Sequence, residues 1–503
     1  MSKLLASVLA LSAIVVAVGV YPNSRTLDTS FDQATTWLYD RWTKTQQTSL
    51  QDIKECTCEE NSKNHSTGFN STMLSDDVSE HAAVENASLI GMCQLSGTVQ
   101  DCCCDYASVE KANKQQLNPL LSQLVMTPFF RYFKVNLWCD CGFWPDDSMC
   151  MLRDCAVCEC EDSEVPQLWK AEEGKCKESP LEVESAVRRT VGAGMQEQLL
   201  NVPSWRGFNN PWMAEDEHDI EFSYINLMDN AERYTGYKGE HAHRVWSAIY
   251  DQSCFSNLND TETCQEQRIF YRLISGMHAS ISAHLSNDYL LDEETDTWGP
   301  NLEEFTQRLG NIAVKERVEN MYFTYLFVLR AVMKAGPLLA SIDYSTGCQG
   351  QDTETKRLMQ QLVSNEALKK TCPIPFDEGR LWKGANAVEL KRDLQKHFQN
   401  ITLVMDCVGC EKCKLWGKLQ ILGIATSLKI LFSQEDCSDV GPATPHLHLE
   451  RNEVIALVNL LERLSKSIEV VRTMSLELAG AQQHPQGLGA IQEVVRHNLQ
   501  DVL

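Results

Sequence analysis

The sequence predicts a mainly α protein: one helical domain behind a cysteine-rich N-terminal section that holds short β-structure and a mobile loop. Three observations carry that expectation. Apolar residues recur every four positions through the second half of the chain, the period of helices with one buried face. Only Tyr132-Phe-Lys-Val-Asn-Leu137 alternates apolar and polar as a short strand does. The cysteines, 21 in 503 residues, gather in clusters at 102–104, 139–160 and 407–413.

Taken in order, Met1-Ser-Lys3 precedes an apolar run from Leu4 to Val20, which reads as a secretory signal over 1–20. Ala17-Val18-Gly19 is a suitable small-residue cleavage site, and a retained anchor is the alternative. Sequons at Asn64, Asn70, Asn86, Asn259 and Asn400 suit a lumenal or secreted protein. The cysteine-rich section spans 56–160 and includes a polar, sequon-bearing insertion at 59–88. Cys93 and Cys102 lie close enough to form a local staple.

The run Cys139 to Cys160 carries six cysteines around Gly142, Pro145 and an Asp-Asp-Ser stretch, so it is a loop. A rigid knot is one reading of it. Cys150 and Cys155 differ from the rest, because bridging them constrains the unfolded chain by only roughly 2 kcal/mol in the entropy model. A bridge from Cys141 to Cys407 would close about 267 residues and contribute up to about 5–6 kcal/mol. The long bridge is suited to persist and the short pair to open and close.

Residues 161–222 are acidic and irregular, and read as a mobile excursion. Gly192-Ala-Gly194 has no preceding strand and no third glycine, so it fails as a dinucleotide fingerprint. The helical core is expected over 223–480, with a tail at 481–503. Ile269, Leu273, Met277, Ile281 and Leu285 form one stripe, with Ser275 and His278 beside it. Arg317–Lys334, Ala387–Met405, the nearly all-apolar 415–432 and Asn452–Met474 are the further helices. A lone His on such a stripe is ordinarily a satisfied core residue.

The chemistry is expected at Cys407-Val-Gly-Cys410-Glu-Lys-Cys413, two successive C-x-x-C spacings before an apolar helix. Positions three apart share a helix face, and the positive end of a helix favours a thiolate; Lys412 and Lys414 add charge of the same sign. A redox dithiol, a structural disulfide and a zinc site all remain open on spacing alone. The zinc reading lacks a second ligand pair at recognisable spacing.

Lys plus Arg number 45 and Asp plus Glu 69, a net charge of −24, which disfavours a nucleic-acid partner. The odd cysteine count leaves at least one thiol free or joined to another chain. So many clustered cysteines point to an oxidising compartment.

Both cysteine blocks together resemble the endoplasmic reticulum oxidoreductin family. The resemblance rests on Cys407 to Gln420, on Glu232-Arg-Tyr-Thr-Gly-Tyr-Lys-Gly239 and on Phe270-Tyr-Arg-Leu-Ile-Ser-Gly-Met-His-Ala-Ser-Ile281, within spans 93–160 and 231–471. It implies a helical domain around tightly bound FAD. Cys410 and Cys413 would be the dithiol beside the flavin, Cys413 the nearer, and Cys150 and Cys155 the shuttle pair. Arg233, Thr235, Trp246, Ser275, His278, Arg308 and Arg317 match positions that hold FAD, although the segment between the last two looks short. Cys141, Cys407, Cys93, Cys102, Cys254 and Cys264 are the structural-disulfide candidates, and no metal is expected.

The implied activity is that of an FAD-dependent thiol oxidase of the endoplasmic reticulum lumen. It would reoxidise protein disulfide isomerase, a thioredoxin-fold partner, and pass the electrons to molecular oxygen as hydrogen peroxide. Isomerase poise is about −180 mV and structural disulfides lie below roughly −300 mV, so a structural bridge would have to act against ~5–6 kcal/mol. Only a strained, exposed or flavin-coupled pair can be the oxidant. The alternative is a secreted disulfide-rich binding protein without redox turnover.

The sequence departs from the family at Gly91, which replaces a cysteine, and in additional cysteines at 103, 139 and 158. Cys56 and Cys58 are candidate partners for Cys104. Cys348 and Cys372 are candidates for an extra staple, and Cys160 and Cys176 for partners of the shuttle pair. The C-terminal Asn-Leu-Gln-Asp-Val-Leu503 is no K-D-E-L-type tag. Retention would then rest on a partner, an anchor or peripheral contact with the lumenal membrane face.

Overall fold

The computed structural model describes residues 106–144, 155–161, 163–170, 210–214, 222–232, 240–254, 264–292, 294–310, 315–371, 376, 378–383, 386–432 and 447–483. All fall within one unit, Met73–Leu503. The signal at 1–20, the insertion at 59–88, Cys93, Cys102 and nearly all of the tail lie outside the described residues.

Four long helices form the core: α5 (Gln265–Asn287), α7 (Lys315–Lys334), α12 (Glu411–Phe432) and α13 (Arg451–Gln483). α5 packs on α7, α12 on α13, and α13 also touches α5 and α7. Glycine sets the closest approaches. A Cβ at Gly276 of α5 would fall 2.1 Å from Thr324 Oγ1 and 2.3 Å from Asn320 O of α7. One at Gly423 of α12 would fall 2.8 Å from Ala456 O of α13. Glycine inside a helix costs about 1 kcal/mol against alanine, and these backbone contacts are what it allows. α12 is long and apolar enough to cross a membrane by length and composition, yet 89% of that window is buried inside the protein. It is a core helix, as its all-round apolar pattern predicts.

Around the core lie α1 (Tyr106–Ala112), α2 (Asn118–Val125), α3 (Pro128–Arg131), α4 (Glu240–Asp251), α6 (Leu302–Phe305), α8 (Gly336–Ser341), α9 (Gln349–Val363), α10 (Glu366–Thr371) and α11 (Ala387–Val404). Strand β1 (Tyr132–Val135) follows α3 directly and pairs antiparallel with β2 (Ser223–Asn226), Phe133 opposite Ile225. A second hairpin joins β3 (Tyr289–Asp292) to β4 (Thr297–Gly299). β2, β3 and β4 are four residues or fewer, too short for alternation to register. α1 to α3 add helix to the cysteine-rich section, where the sequence predicts only short β-structure. Leu117, Leu120, Leu121 and Leu124 are buried there.

The expectation of a mobile excursion at 161–222 needs correction at two places. Trp169 is buried in edge contact with Phe129 at 5.7 Å, donates its indole N–H to Ser345 O at 3.1 Å, and lies 4.5 Å beneath the Arg451 guanidinium. Trp212 is buried between Phe398 and Phe432. Beside it Asn210 bonds the Glu453 carboxylate at 2.8 Å, which also pairs with buried Lys429 at 2.9 Å. Burying a large aromatic side chain stabilises by roughly 3 kcal/mol, so both tryptophans act as anchors. Acidic composition hid them.

Candidate functional site

The centre of the site is the start of α12. A short 3₁₀ turn, Met405–Cys407, ends α11, and Cys407 is joined to Cys141 by a disulfide across a separation of 266 residues. A sulfur already bonded there leaves Cys407 unable to complete a zinc site with Cys410 and Cys413. Cys410 stands at the N-cap: its carbonyl accepts from Lys414 N–H at 2.8 Å and its Sγ from Cys413 N–H at 3.3 Å. The sulfur thus caps one of the amides that a helix start leaves without an internal partner. Helix dipole and N–H together set positive potential against the Cys410 sulfur. Cys410 is buried and Cys413 half-buried. Lys414 reaches back to Leu137 O at 3.2 Å, which holds the Cys141 segment against the helix. At Gly417 a Cβ would meet Met405 Sδ at 2.8 Å, so glycine lets the preceding turn fold onto the helix.

A second segment meets the same helix start. The Lys412 N–H donates to the Cys155 carbonyl at 3.0 Å, and Val157 N–H donates to the Glu411 carboxylate at 2.8 Å. The chain from Cys155 onward therefore caps α12 from outside. Asn230 extends the contact: it exchanges hydrogen bonds with the Cys158 backbone at 2.8 and 2.9 Å, while its carbonyl accepts the Trp416 indole N–H at 2.8 Å. Glu159 bridges Ile225 as an edge addition to β2, and Cys160 N–H donates to Tyr224 O at 2.9 Å. Burial, with Glu164 nearby, pushes the Cys160 thiol up to about 11, making it a poor nucleophile. Cys150 and Cys176 lie outside the described residues.

A third cluster lies on α4, α5 and α7. Trp246 stacks on His278 with ring centroids 3.7 Å apart and an interplanar angle of 18°. Tyr250, one turn beyond Trp246, shares a 3.1 Å hydrogen bond with His278 Nδ1. Burial, then the charges of Arg317 and Arg308, hold the imidazole well below its ordinary range, so it is neutral. Ser275 and Asn320 bond at 3.0 Å behind this pair. Arg308 sits on a π turn, Thr306–Gly310, and is held by Glu304 at 3.0 Å. Arg317, in the first turn of α7, acts on Tyr250, Tyr271 and His278 alike and has no ion-pair partner among the described residues. Arg308 and Arg317 therefore bear on one cluster despite the short segment between them. Arg233 and Thr235 lie outside the described residues; Glu232, just before them, pairs with Arg463 of α13. A stacked aromatic face with cationic forks beside it suits a planar ring that carries phosphate.

The clusters are linked through α4. Arg244 lies 5.9 Å over the Trp144 ring, Trp144 N–H donates to Cys141 Sγ at 3.3 Å, and Cys141 is bonded to Cys407. Among the other cysteines, Cys254 is disulfide-bonded, whereas Cys264 is a free thiol pushed up to about 11 by burial. The two structural-disulfide candidates are therefore not joined to each other. Cys348 is an exposed free thiol, so the extra staple with Cys372 is not formed. Sequence reasoning missed Glu411, Asn230, Tyr250, Tyr271, Arg272 and Asn320. Tyr250 was within reach, since it lies four residues from Trp246 on one helix face.

Comparison with known proteins adds four findings. The family model described as Endoplasmic Reticulum Oxidoreductin 1 (ERO1) matches residues 116–471. Endoplasmic reticulum oxidoreductin-2 of Arabidopsis thaliana is 51% identical over 383 residues, covering 75% of this chain and 78% of that protein. ERO1-like protein alpha of Homo sapiens is 37% identical over 442 residues, covering 79% and 94%. The solved structure of Ero1p, described as a source of disulfide bonds for oxidative protein folding in the cell, superposes with a TM-score of 0.53 at 27% identity, covering 75% of this chain and 99% of that one.

Proposed function

The chain belongs to the Endoplasmic Reticulum Oxidoreductin 1 family, thiol oxidoreductases of the endoplasmic reticulum, and on that premise we propose that it is an FAD-dependent oxidase of protein disulfide isomerase. The observation that carries this reading is the 3.0 Å hydrogen bond from Lys412 N–H to the Cys155 carbonyl. It supports contact between a shuttle pair, Cys150–Cys155, and an inner pair, Cys410–Cys413.

The steps are thiol–disulfide exchanges through mixed disulfides. An isomerase thiolate attacks the Cys150–Cys155 bridge, its second thiol releases the enzyme, and Cys150 and Cys155 are left as the dithiol. The Cys155 thiolate attacks the Cys410 sulfur, displacing Cys413, and Cys150 then resolves the mixed disulfide. Cys413 leaves well because it lies in the first turn of α12, where the positive end of the helix stabilises negative charge. The shuttle bridge is restored and the inner pair holds two electrons and two protons. The cofactor, when bound, supplies a two-electron acceptor that returns these to oxygen as hydrogen peroxide.

The residues present fit FAD. Trp246 and His278 offer the ring face, and Arg308 with Arg317 offers charge for the pyrophosphate; Arg233, Thr235 and Ser275 complete the set that the resemblance implies. Buried, neutral His278 adds a polar edge without further positive charge. The protein works in the lumen, either soluble or held at the membrane face.

An absorption spectrum and oxygen uptake test this together. Flavin bands and hydrogen peroxide release with reduced isomerase are expected, and Cys410→Ala or Cys413→Ala abolishes turnover while the protein stays yellow. A colourless protein with no uptake would favour a disulfide-rich binding protein instead.

A further inference from the structure

The turn that follows β2 ends at Asn230, a residue with 0% exposure whose every hydrogen-bonding group is engaged. Its backbone N–H and one side-chain N–H both donate to Asn226 O, at 3.2 and 3.0 Å, and close the turn. The other side-chain N–H donates to Cys158 O at 2.9 Å, and Oδ1 accepts the Cys158 N–H at 2.8 Å. The orientation of the amide is forced: only its oxygen can accept an N–H, and only its NH₂ can satisfy two carbonyl oxygens. No other side chain of this size offers one acceptor beside two donors. Asn230 thus engages both backbone groups of Cys158, in the segment that begins at Cys155. Its remaining group, the backbone carbonyl, accepts the Trp416 indole N–H at 2.8 Å, one turn beyond Cys413 on α12. Trp416 is held from another side as well, with the Arg463 guanidinium of α13 lying 4.9 Å over its ring. Arg463 in turn pairs with Glu232, two residues past Asn230, and both side chains are buried. The edge of the tryptophan therefore holds Asn230, and its face, through Arg463, holds Glu232.

We propose that Asn230 is a positioning residue for the exchange between Cys155 and Cys410: Trp416 ties Asn230 to the helix that carries the inner pair, and Asn230 ties down Cys158 and with it Cys155. The exchange clause rests on the function proposed above; the clamp itself does not. Lys412 N–H holds the segment at the Cys155 carbonyl and the Glu411 carboxylate holds it at Val157 N–H. Two points leave a segment free to rotate about the line through them, and Asn230, on a separate element, removes that freedom. An exchange between sulfurs depends on orientation as well as proximity, so the third point bears on its rate.

Asn230→Ala removes both bonds to Cys158 and keeps the backbone carbonyl for Trp416. Hydrogen–deuterium exchange of the full chain, resolved to single amides by fragmentation, should show Cys158 losing roughly 10- to 100-fold of its protection, the range for two neutral hydrogen bonds. The Cys160 amide, which donates to Tyr224 O, should keep its own protection. Trp416→Phe leaves a ring under Arg463 but no indole N–H. It should lower Cys158 protection when made alone and add nothing to Asn230→Ala, because Trp416 reaches Cys158 only through the Asn230 side chain. In oxygen uptake, Asn230→Ala should lower kcat with isomerase by a comparable factor and leave kcat/KM for isomerase unchanged, since Cys155 attacks Cys410 only after the isomerase has left. A general loss of folded enzyme would lower both alike. Unchanged Cys158 protection, an equal loss at Cys160, or additive effects of the two substitutions would overturn the clamp. A kcat/KM that falls together with kcat would overturn the positioning role. Wild type without oxygen uptake would overturn the exchange clause and the reading beneath it, while the amide signals still decide the clamp.

Discussion

Replacing Glu411 with alanine should uncouple the shuttle segment from the inner dithiol. The Glu411 carboxylate accepts the Val157 N–H at 2.8 Å, two residues after Cys155. A hydrogen bond to an ionised group contributes about 1.5–3 kcal/mol; this one is partly buried, so the lower end applies. Loss of ~1.5 kcal/mol lowers the docked population about tenfold at 1.4 kcal/mol per decade. The Lys412 N–H to Cys155 O bond survives, because it is made by backbone alone. Glu411 also favours the start of α12, and losing that carboxylate costs a further ~0.5 kcal/mol of stability. The assay is oxygen uptake driven by reduced isomerase, compared with uptake driven by dithiothreitol. Isomerase-driven turnover should fall about tenfold in Glu411→Ala and roughly half as far, on a logarithmic scale, in Glu411→Gln. The dithiothreitol rate should change less than the isomerase rate. Equal losses on both substrates, or no loss on isomerase, would refute the docking argument.

Two further predictions concern stability. Removing the Cys141–Cys407 bridge by a double Cys→Ser change should lower the unfolding free energy by up to about 5–6 kcal/mol, measured by guanidinium titration without reductant; a loss below ~1 kcal/mol would show that this bridge is not the main clamp. His278 and His284 are both held below their ordinary range, first by burial. The unfolded chain therefore binds more protons below about pH 6.5, and stability should fall with pH there by at most ~1.4 kcal/mol per unit for each histidine. The slope difference between wild type and His284→Gln isolates one of them from the acidic background; a variant with an unchanged or steeper slope would contradict the burial argument.

How far the sequence reached depends on the kind of signal. The stripe from Ile269 to Leu285 and the apolar run at 415–432 fell within α5 and α12 because long helices repeat a pattern often enough to read. β2 and the β3–β4 hairpin repeat it too few times. The two C-x-x-C spacings singled out the start of α12, since chemistry and helix geometry share the spacing of three. Glu411 and Asn230 were not legible, because their work is done across more than a hundred residues of chain or on a distant backbone. Asn320 and Arg272 carry no motif either: what joins them is the close approach of α5 and α7 at Gly276, and nothing in one-dimensional spacing reports that two helices touch. Composition misled at Trp169 and Trp212, where isolated aromatics in acidic surroundings turned out to be buried anchors.

The account depends on Cys155 delivering electrons to Cys410, and trapping that exchange tests it most directly. With Cys150→Ala and Cys413→Ala combined, neither resolving thiol remains; oxidised glutathione is added as the two-electron oxidant, and peptide mass spectrometry under non-reducing conditions should then find Cys155 linked to Cys410. A link from Cys410 to Cys160 or Cys158 instead, or no link at all in folded protein, would contradict it.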